Sequence, residues 1–451
     1  MNKHIQLRNL GLFDARVPRY TSYPTAPHFK TDVGEADVAS WLSALDPEQP
    51  ASLYVHVPFC RRLCWFCACR TQGTTTAGPV AAYVGTLKAE LKLIKNHLPE
   101  GLKLGHLHWG GGTPTLLEPD MIVDLTGAIA EVAPFAEDYE FSVEIDPNEI
   151  DDARLDALAA GGMNRASIGV QDFDPVIQET IGRIQSYEIT KAAVDGLRAR
   201  GIRSLNTDIL YGLPGQSQEK ITASVQKLLS LSPDRVALFG YAHVPWIARR
   251  QTMIPTDQLP TPEERLELFN TARDLFVADG YTEIGIDHFA RENDGLAVAL
   301  RTGKLRRNFQ GYTDDKCSAM IGVGASSIAK YPQGYAQNAP ATSKYQEAVR
   351  AGRLPITKGH SFTEEDHLRG RIIEALMSEF RVDRADLVQR FDLSQEAFDD
   401  FAKGVDTAFP DMLDISADEI VILDHAKPLT RMIARHFDAY DMSQGQHSSA
   451  V

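Results

Sequence analysis

The chain has 451 residues, of which 46 are Lys or Arg, 61 are Asp or Glu, and 43% are hydrophobic. This length suggests two or three domains, or one large α/β barrel with an appendage. The formal net charge of -15 argues against general nucleic-acid binding, because a surface that follows phosphates needs an excess of basic residues. No run of about 18 apolar residues occurs, and the amino terminus lacks an apolar run of signal-peptide length. We therefore expect a cytoplasmic protein that does not insert into membranes.

Residues 1–50 are expected to form an extended arm, because the prolines and aromatic residues of YTSYPTAPHF at 20–29 disfavour a helix. From 51 to 300, short β-branched or aromatic runs alternate with longer amphipathic stretches. That alternation is typical of parallel βαβ units and predicts an α/β core, a partial or full (β/α) barrel. Strands are expected at 52–58, 104–110, 140–146, 165–171, 204–212, 235–244 and 281–289.

The rest of the chain differs in composition from the predicted barrel. Residues 301–355 form a basic, Gly-rich connection that is expected to close the active site. Residues 356–451 are predicted to be a mainly helical domain with a short strand pair, similar to a winged helix. Winged helices often bind DNA, but the helices here are acidic, so no nucleic-acid partner is expected.

Four of the five cysteines, Cys60, Cys64, Cys67 and Cys69, fall within ten residues. In a reducing compartment such crowding indicates a metal site rather than disulfides. A structural zinc site usually draws its ligands from two separated turns. A single C-x3-C-x2-C loop can instead hold three irons of a [4Fe-4S] cluster with Cys60, Cys64 and Cys67, which leaves the fourth iron open. A zinc site and inert buried thiols remain alternatives at this point.

Several motifs occur together with the cysteine loop, in this order: YTSYPT (20–25), CWFCAC (64–69), HWGGGTPT (108–115), SVEIDP (142–147), IGVQDF (168–173), NTDILYGLP (206–214), YAHVP (241–245), DHFA (287–290) and RNFQGY (307–312). With the C-x3-C-x2-C loop, they resemble the radical S-adenosylmethionine (SAM) superfamily and, within it, the family of oxygen-independent coproporphyrinogen III dehydrogenases. The resemblance covers most of the chain and is weakest after residue 340.

The resemblance implies the activity. The open iron would bind SAM, and a 5'-deoxyadenosyl radical would abstract hydrogen from two propionate side chains of coproporphyrinogen III. Oxidative decarboxylation to vinyl groups would then give protoporphyrinogen IX in anaerobic haem biosynthesis. The family also implies two SAM molecules per chain, an electron donor such as a flavodoxin or ferredoxin, and a monomer.

The resemblance also implies the site residues. Three cysteines would ligate the cluster. Cys69 would be catalytic: a thiol at this position could donate a proton or hydrogen or hold the second SAM in place, although it could simply pack as a small apolar residue. The cofactor-binding residues would be Tyr54, Phe66, Gly111, Gly112, Thr113, Glu144, Gln171, Arg183, Asp208, Ala242 and Ile328.

The segment RTGKLRRNFQGY contains the candidate substrate residues, Arg306 and Arg307. A solvated basic loop is the ordinary interpretation of such a run. The implied substrate carries four propionates, however, and arginines bind carboxylates through forked hydrogen bonds. Three other functions remain open: a haem-delivery relative, an anaerobic haem-degrading relative and a non-catalytic zinc-binding module.

Overall fold

The computed structural model describes residues 3–440 and 448–451, which adopt a mixed α/β fold. The helices are α1 (Lys3–Asn9), α2 (Glu35–Ser43), α3 (Gly78–Lys95), α4 (Pro119–Val132), α5 (Asp152–Ala160), α6 (Pro175–Thr180), α7 (Tyr187–Ala199), α8 (Gln218–Ser230), α9 (Pro262–Ala278), α10 (Gly295–Arg301), α11 (Thr342–Arg350), α12 (Glu364–Glu379), α13 (Arg384–Phe391), α14 (Gln395–Ala408) and α15 (Thr430–His436).

The strands are short and mostly buried. They are β1 (Ala51–Val57), β2 (Phe59–Cys60), β3 (Gln72–Gly73), β4 (Leu104–Gly111), β5 (Phe135–Ile145), β6 (Arg165–Gln171), β7 (Ser204–Tyr211), β8 (Arg235–Gly240), β9 (Thr282–Ile284), β10 (His288–Ala290), β11 (Arg306–Asn308), β12 (Gly311–Thr313), β13 (Met320–Val323), β14 (Ile328–Tyr331), β15 (Gly334–Asn338), β16 (Ile356–Ser361), β17 (Arg381–Asp383), β18 (Leu413–Ile415) and β19 (Glu419–Ile422).

One sheet of twelve strands organises the molecule, in the order β16-β15-β14-β13-β1-β4-β5-β6-β7-β8-β10-β9. The strands from β13 to β8 in this order pair in parallel, and antiparallel strands extend both edges. In the described part of the chain the two edge strands, β16 and β9, do not pair with each other. The predicted α/β core with a partial barrel is therefore confirmed.

The unit of β7, α8 and β8 shows why the sequence folds into this sheet. Ser217 caps α8 by accepting a hydrogen bond from the Lys220 amide. Ile221, Val225 and Leu228 then recur at helical spacing, and all three are fully buried in the main core. Because the central strands are parallel and all of them except β13 are followed by a helix, their carboxyl ends gather at one edge of the sheet.

The arm at the amino terminus and the domain at the carboxyl terminus share a second hydrophobic core. Leu12 and Phe13 of the arm belong to the same buried cluster as Ile372 of α12 and Phe398 of α14. The carboxyl-terminal domain consists of α12 to α15 with a small sheet in the order β17-β19-β18. The arm is therefore a packed part of that domain's core.

Several segments differ in detail from the predicted elements. The predicted strand at 281–289 is wrong, because the chain turns at Gly285 (φ +54°) and forms the antiparallel pair β9–β10. The arm contains α1 and α2, and residues 301–355 contribute β11 to β15. The proposed domain boundaries stay predictions. No helix in the described ranges is long and apolar enough to cross a membrane.

A buried ion pair near the amino-terminal end of β8 provides a test of this fold. Arg235 Nε lies 2.5 Å from Asp294 Oδ1, and both side chains are only 3% exposed. Asp294→Ala should lower the free energy of unfolding by about 3–5 kcal/mol, because the buried guanidinium loses its nearest carboxylate and α10 loses its amino-terminal cap. Urea unfolding followed by circular dichroism measures the change.

The matched control is Asp274→Ala, which removes the partner of Arg273 at a surface where the Asp274 side chain is 67% exposed. That variant should cost less than about 1 kcal/mol. Equal effects of the two substitutions would contradict a structural role for the buried pair.

Candidate active site

The cysteine loop follows β1 and is anchored to the turn after α6. The Trp65 amide donates to the Ile181 carbonyl at 2.9 Å, and the Trp65 ring lies against Gly182. A Cβ at Gly182, whose φ is +66°, would come within 2.9 Å of that ring. Only glycine fits this contact, so the loop that carries Cys64 and Cys67 is fixed against the edge of the sheet.

The four thiols influence one another electrostatically. Burial is the main reason that the pKa of Cys60 rises to about 11; the charges of Cys67 and Cys64 act in the same direction, and hydrogen bonds with Thr113 and Thr71 oppose the rise. A hydrogen bond with the Cys69 thiol lowers the pKa of Cys67 to about 6. The same interaction raises the pKa of Cys69. Cys67 is therefore the thiol whose surroundings most favour the thiolate.

The donor set of the loop fits a polynuclear cluster better than a single ion. All three of its candidate ligands come from one short segment, 60–67, rather than from two separated turns. A [4Fe-4S] cluster attaches each thiolate to a different iron, so its ligands surround the cluster without converging on one point. Zinc would instead require tetrahedral convergence. Cys60, Cys64 and Cys67 thus suit the cluster.

Arg183 connects the cysteine loop to the sheet. Its Nη1 donates to Cys64 Sγ at 3.6 Å and to Asp146 Oδ2 at 3.3 Å, while its Nη2 donates to the Gly169 carbonyl at 2.9 Å. Burial lowers the pKa of Arg183, but the charges of Asp146 and Cys64 outweigh this and raise it overall. Arg183 therefore remains a cation beside the loop.

The glycine segment after β4 packs against the chain that enters the cysteine loop. The Gly112 amide donates to the Val57 carbonyl at 2.8 Å, and the Thr113 amide donates to the Phe59 carbonyl at 2.7 Å. A Cβ at Gly112 would lie 2.5 Å from the Phe59 carbonyl oxygen, and one at Gly111 would lie 2.5 Å from the His56 ring. These glycines allow a backbone contact that a side chain would prevent.

Two predicted carboxylates stand near the carboxyl ends of β5 and β7. Glu144 Oε2 accepts from the Gly111 amide at 3.0 Å, and Asp208 Oδ1 accepts from Asn206 Nδ2 at 2.8 Å. Burial and the Glu144 charge together raise the pKa of Asp208 to about 7. Beside them, the Tyr54 ring stacks on His108 with centroids 5.8 Å apart. Carboxylates in such positions can accept hydrogen bonds from ribose hydroxyls.

A cavity of about 730 Å³ opens over this edge of the sheet. Its volume is within the usual range for a small-molecule site. The predicted site residues that line it are Phe66, Cys67, Cys69, Gln171, Asp208, Ala242 and Arg307. Gln251 Nε2 joins two parts of the wall, since it donates to the carbonyls of Phe66 (2.6 Å) and Ala242 (3.0 Å). The cysteine loop and the barrel thus share one chamber.

The remaining predicted residues lie outside the lining of this cavity. Tyr54, Gly111, Gly112, Thr113 and Arg183 lie around the cysteine loop, as described above. Ile328 begins β14 and lies against Gly322 of β13. Arg306 donates to the carbonyls of Gly303 and Leu305, so of the two candidate substrate arginines only Arg307 faces the cavity.

Two arginines in the cavity wall were not predicted from the sequence. Arg19 of the arm and Arg431 of α15 both line it, more than 400 residues apart in the chain. Arg19 directly precedes the YTSYPT motif, which is the signal that could have identified it. No motif includes Arg431, since the resemblance is weakest in that part of the chain.

Gly112→Ala tests the close backbone contact. The methyl group would press on the carbonyls of Phe59 and Val57, and overpacking of this kind costs about 1–3 kcal/mol. We expect binding of SAM to the reconstituted protein to weaken by about tenfold or more, as measured by equilibrium binding of labelled SAM. Gly127→Ala in α4, where a Cβ would meet nothing within 4 Å, is the control. Equal SAM binding by the two variants would contradict the assignment of Gly112 to the SAM site.

Comparison with known proteins agrees with this geometry. Residues 54–228 match the family model of the radical SAM superfamily. The chain is 59% identical over its full length to the full-length oxygen-independent coproporphyrinogen III oxidase of Paracoccus denitrificans. It is 55% identical to the protein of that name from Cereibacter sphaeroides, with 99% of each chain covered.

Among solved structures, coproporphyrinogen III oxidase (HemN) from Escherichia coli, described as a radical SAM enzyme, superposes with a TM-score of 0.89. That match has 36% identity and covers 95% of this chain and 100% of the other. The chain therefore belongs to the radical SAM superfamily and, within it, to the family of oxygen-independent coproporphyrinogen III oxidases, as the motifs predicted.

Proposed function

We propose that the protein converts coproporphyrinogen III to protoporphyrinogen IX by oxidative decarboxylation of two propionates, without oxygen, in haem biosynthesis. The observation that carries this proposal is the full-length identity of 59% to a coproporphyrinogen oxidase. The cavity supports it, because it places arginines for carboxylates in the same chamber as the cysteine loop. The relatives compared above give no support to haem delivery or haem degradation.

Membership of the radical SAM superfamily implies a [4Fe-4S] cluster and SAM. Together these supply an electron and a carbon radical that abstracts a hydrogen atom from the substrate. In this chain Cys60, Cys64 and Cys67 would hold the cluster, and Arg183 would keep positive charge beside Cys64. Because Gly111 and Gly112 have no side chains, they would let the cofactor approach the backbone closely.

The predicted cofactor residues divide into two groups, which supports two SAM molecules per chain. Tyr54, Gly111 and Glu144 lie together beside the cysteine loop, and Ile328 belongs to this group by the family resemblance. Phe66, Gln171, Asp208 and Ala242 line the cavity itself. The first group would hold the SAM nearer the cluster, and the second group would hold the other.

Each decarboxylation must remove one hydrogen atom from the β-carbon of a propionate, lose carbon dioxide and release one electron. The chain's contribution is placement, because a reactive carbon centre has to be kept from water and from the wrong hydrogen atoms. Phe66, Phe239 and Tyr241 supply apolar wall for this purpose. Cys69, exposed to the cavity, would supply a proton or hydrogen.

The remaining proposals concern the protein's surroundings. We propose a flavodoxin or ferredoxin system as the electron donor, a monomeric enzyme and a cytoplasmic location. A small acidic donor would dock beside the cysteine loop, where Arg62 and Arg70 are exposed.

Anaerobic turnover tests the proposed function. Reconstituted protein with SAM, a reductant and coproporphyrinogen III should yield protoporphyrinogen IX, which is separated by chromatography after oxidation. Absence of any vinyl product, in a sample with a full iron complement, would contradict the proposal. Zinc without acid-labile sulfide in the purified protein would support the interaction-module alternative.

Replacement of one cluster ligand tests the metal assignment. Cys64→Ala should abolish the brown, oxygen-sensitive chromophore and most of the bound iron, because three thiolates are the minimum for an open fourth iron. Iron and sulfide analysis provides the measurement, and Cys317→Ala, which changes a cysteine outside the loop, is the control. A full iron complement in Cys64→Ala would contradict the assignment.

Cys69→Ser separates ligation from chemistry. We expect it to retain iron and bind SAM but to lose most vinyl formation, because the serine hydroxyl is a much weaker proton donor than the thiol. Iron, 5'-deoxyadenosine and vinyl product are measured on one anaerobic sample. Loss of iron would make Cys69 a ligand, and full vinyl formation would make it a packing residue; either result contradicts this prediction.

A further inference from the structure

Three arginines from distant parts of the chain meet at the cavity. Arg19 belongs to the arm, Arg307 to β11 and Arg431 to α15, and all three line the same chamber. Arg307 Nη2 donates to the Arg19 carbonyl at 3.4 Å, and Arg431 Nε donates to the Pro18 carbonyl at 3.1 Å. We refer to Arg19, Arg307 and Arg431 as the arginine cluster.

The arginine cluster carries positive charge without matching carboxylates. In residues 3–440 and 448–451, none of the three forms an ion pair within 4 Å; their side chains donate to main-chain carbonyls and to one serine hydroxyl. Asp287, whose charge acts on all three arginines, accepts a hydrogen bond from His288 Nδ1 at 2.6 Å. By contrast, Lys427 of the same cavity pairs with Glu283 and Asp424. Three guanidinium groups thus face one carboxylate in the cavity wall, and a bound anion would balance the remaining positive charge.

Two of the three guanidinium groups also have N–H donors that have no hydrogen-bond acceptor in the described residues. Arg307 Nε and Nη1 are buried and have no hydrogen-bond partner. A buried donor without a partner costs about 1–3 kcal/mol, so its presence indicates a missing acceptor. Arg19 donates one hydrogen bond, from Nη2 to the Gly240 carbonyl at 2.8 Å. Its side chain is accessible, yet burial lowers its pKa, as expected for a group in a cavity wall.

Neighbouring contacts hold these two side chains in place. The Arg307 guanidinium lies 4.4 Å from the centroid of the Tyr312 ring, and the Tyr312 hydroxyl donates to the Met377 carbonyl at 2.6 Å. Next to Arg19, the Tyr20 hydroxyl donates to Asp438 Oδ2 at 2.9 Å. The first residues of the YTSYPT motif therefore fix Arg19 against the carboxyl-terminal domain, which gives this motif a physical role.

We propose, on the basis of the function proposed above, that the arginine cluster binds the propionates that do not react. Arg19 and Arg307 supply the hydrogen bonds, and Arg431 supplies further charge and fixes the arm. The carboxylate of a reacting propionate is lost as neutral carbon dioxide. A guanidinium bound to that carboxylate would therefore stabilise the starting state more than the transition state. Two propionates persist in the product, which matches the two arginines with free donors.

Equilibrium binding to the anaerobic holoenzyme without SAM tests this proposal, with coproporphyrinogen III as the probe. Arg19→Gln and Arg307→Gln should each weaken binding about ten- to a hundredfold, the range for hydrogen bonds to charged groups. Arg19→Lys should recover only part of the loss, because lysine lacks the forked donors. Arg353→Gln, which changes the net charge equally at an exposed site, should bind as the wild type does.

Further readouts separate binding from folding and from chemistry. Iron content and SAM affinity should stay unchanged in Arg19→Gln and Arg307→Gln. The tetramethyl ester of coproporphyrinogen III, which lacks the carboxylate charges, should bind to the wild type at least tenfold more weakly than the acid does. Unchanged substrate binding in both variants, a parallel loss of SAM affinity, or equal binding of ester and acid would overturn the proposal. If binding depends on the carboxylates but no vinyl product forms, the proposed function is contradicted, whereas the role of the arginine cluster in binding carboxylates is supported.

Discussion

The site depends on one close backbone contact, between the glycine segment after β4 and the chain that leaves β1. The amides of Gly112 and Thr113 donate to the carbonyls of Val57 and Phe59, immediately before Cys60. Because no side chain fits between these segments, the start of the cysteine loop is held at a fixed position above the parallel strands. The Trp65–Gly182 contact fixes the other side of the loop. The position of Cys60, Cys64 and Cys67 follows from these two contacts.

The second constraint is electrostatic and joins distant parts of the chain. The barrel supplies carboxylates near its strand ends, of which Asp208 is largely desolvated with a raised pKa. The arm and the carboxyl-terminal domain supply arginines, and their shared hydrophobic core holds these in place. The cavity therefore has Asp208 on the side of the cysteine loop and an excess of arginines over carboxylates farther along its wall. This separation of charge suits a cofactor rich in hydroxyl and amino groups and a substrate rich in carboxylates.

Local patterns in the sequence were sufficient to predict the α/β barrel and the cysteine loop. The alternation of strands and helices is read over 10 to 20 residues, and the spacing of Cys60, Cys64 and Cys67 lies within one loop. Contacts between segments far apart in the chain could not be predicted from such local patterns. The pairing of β13 with β1 brings together segments more than 250 residues apart, and nothing local indicates that Arg19 meets Arg431. The hairpin at Gly285 was missed because a single glycine in an apolar run is also compatible with a strand.

We propose that this cavity directs hydrogen abstraction from the β-carbon of substrate propionates. Coproporphyrinogen III labelled with deuterium at the propionate β-carbons tests it most directly, with mass spectrometry of the 5'-deoxyadenosine formed during anaerobic turnover. The account predicts one deuterium atom transferred into 5'-deoxyadenosine for each vinyl group made. Vinyl formation accompanied by unlabelled 5'-deoxyadenosine would contradict it.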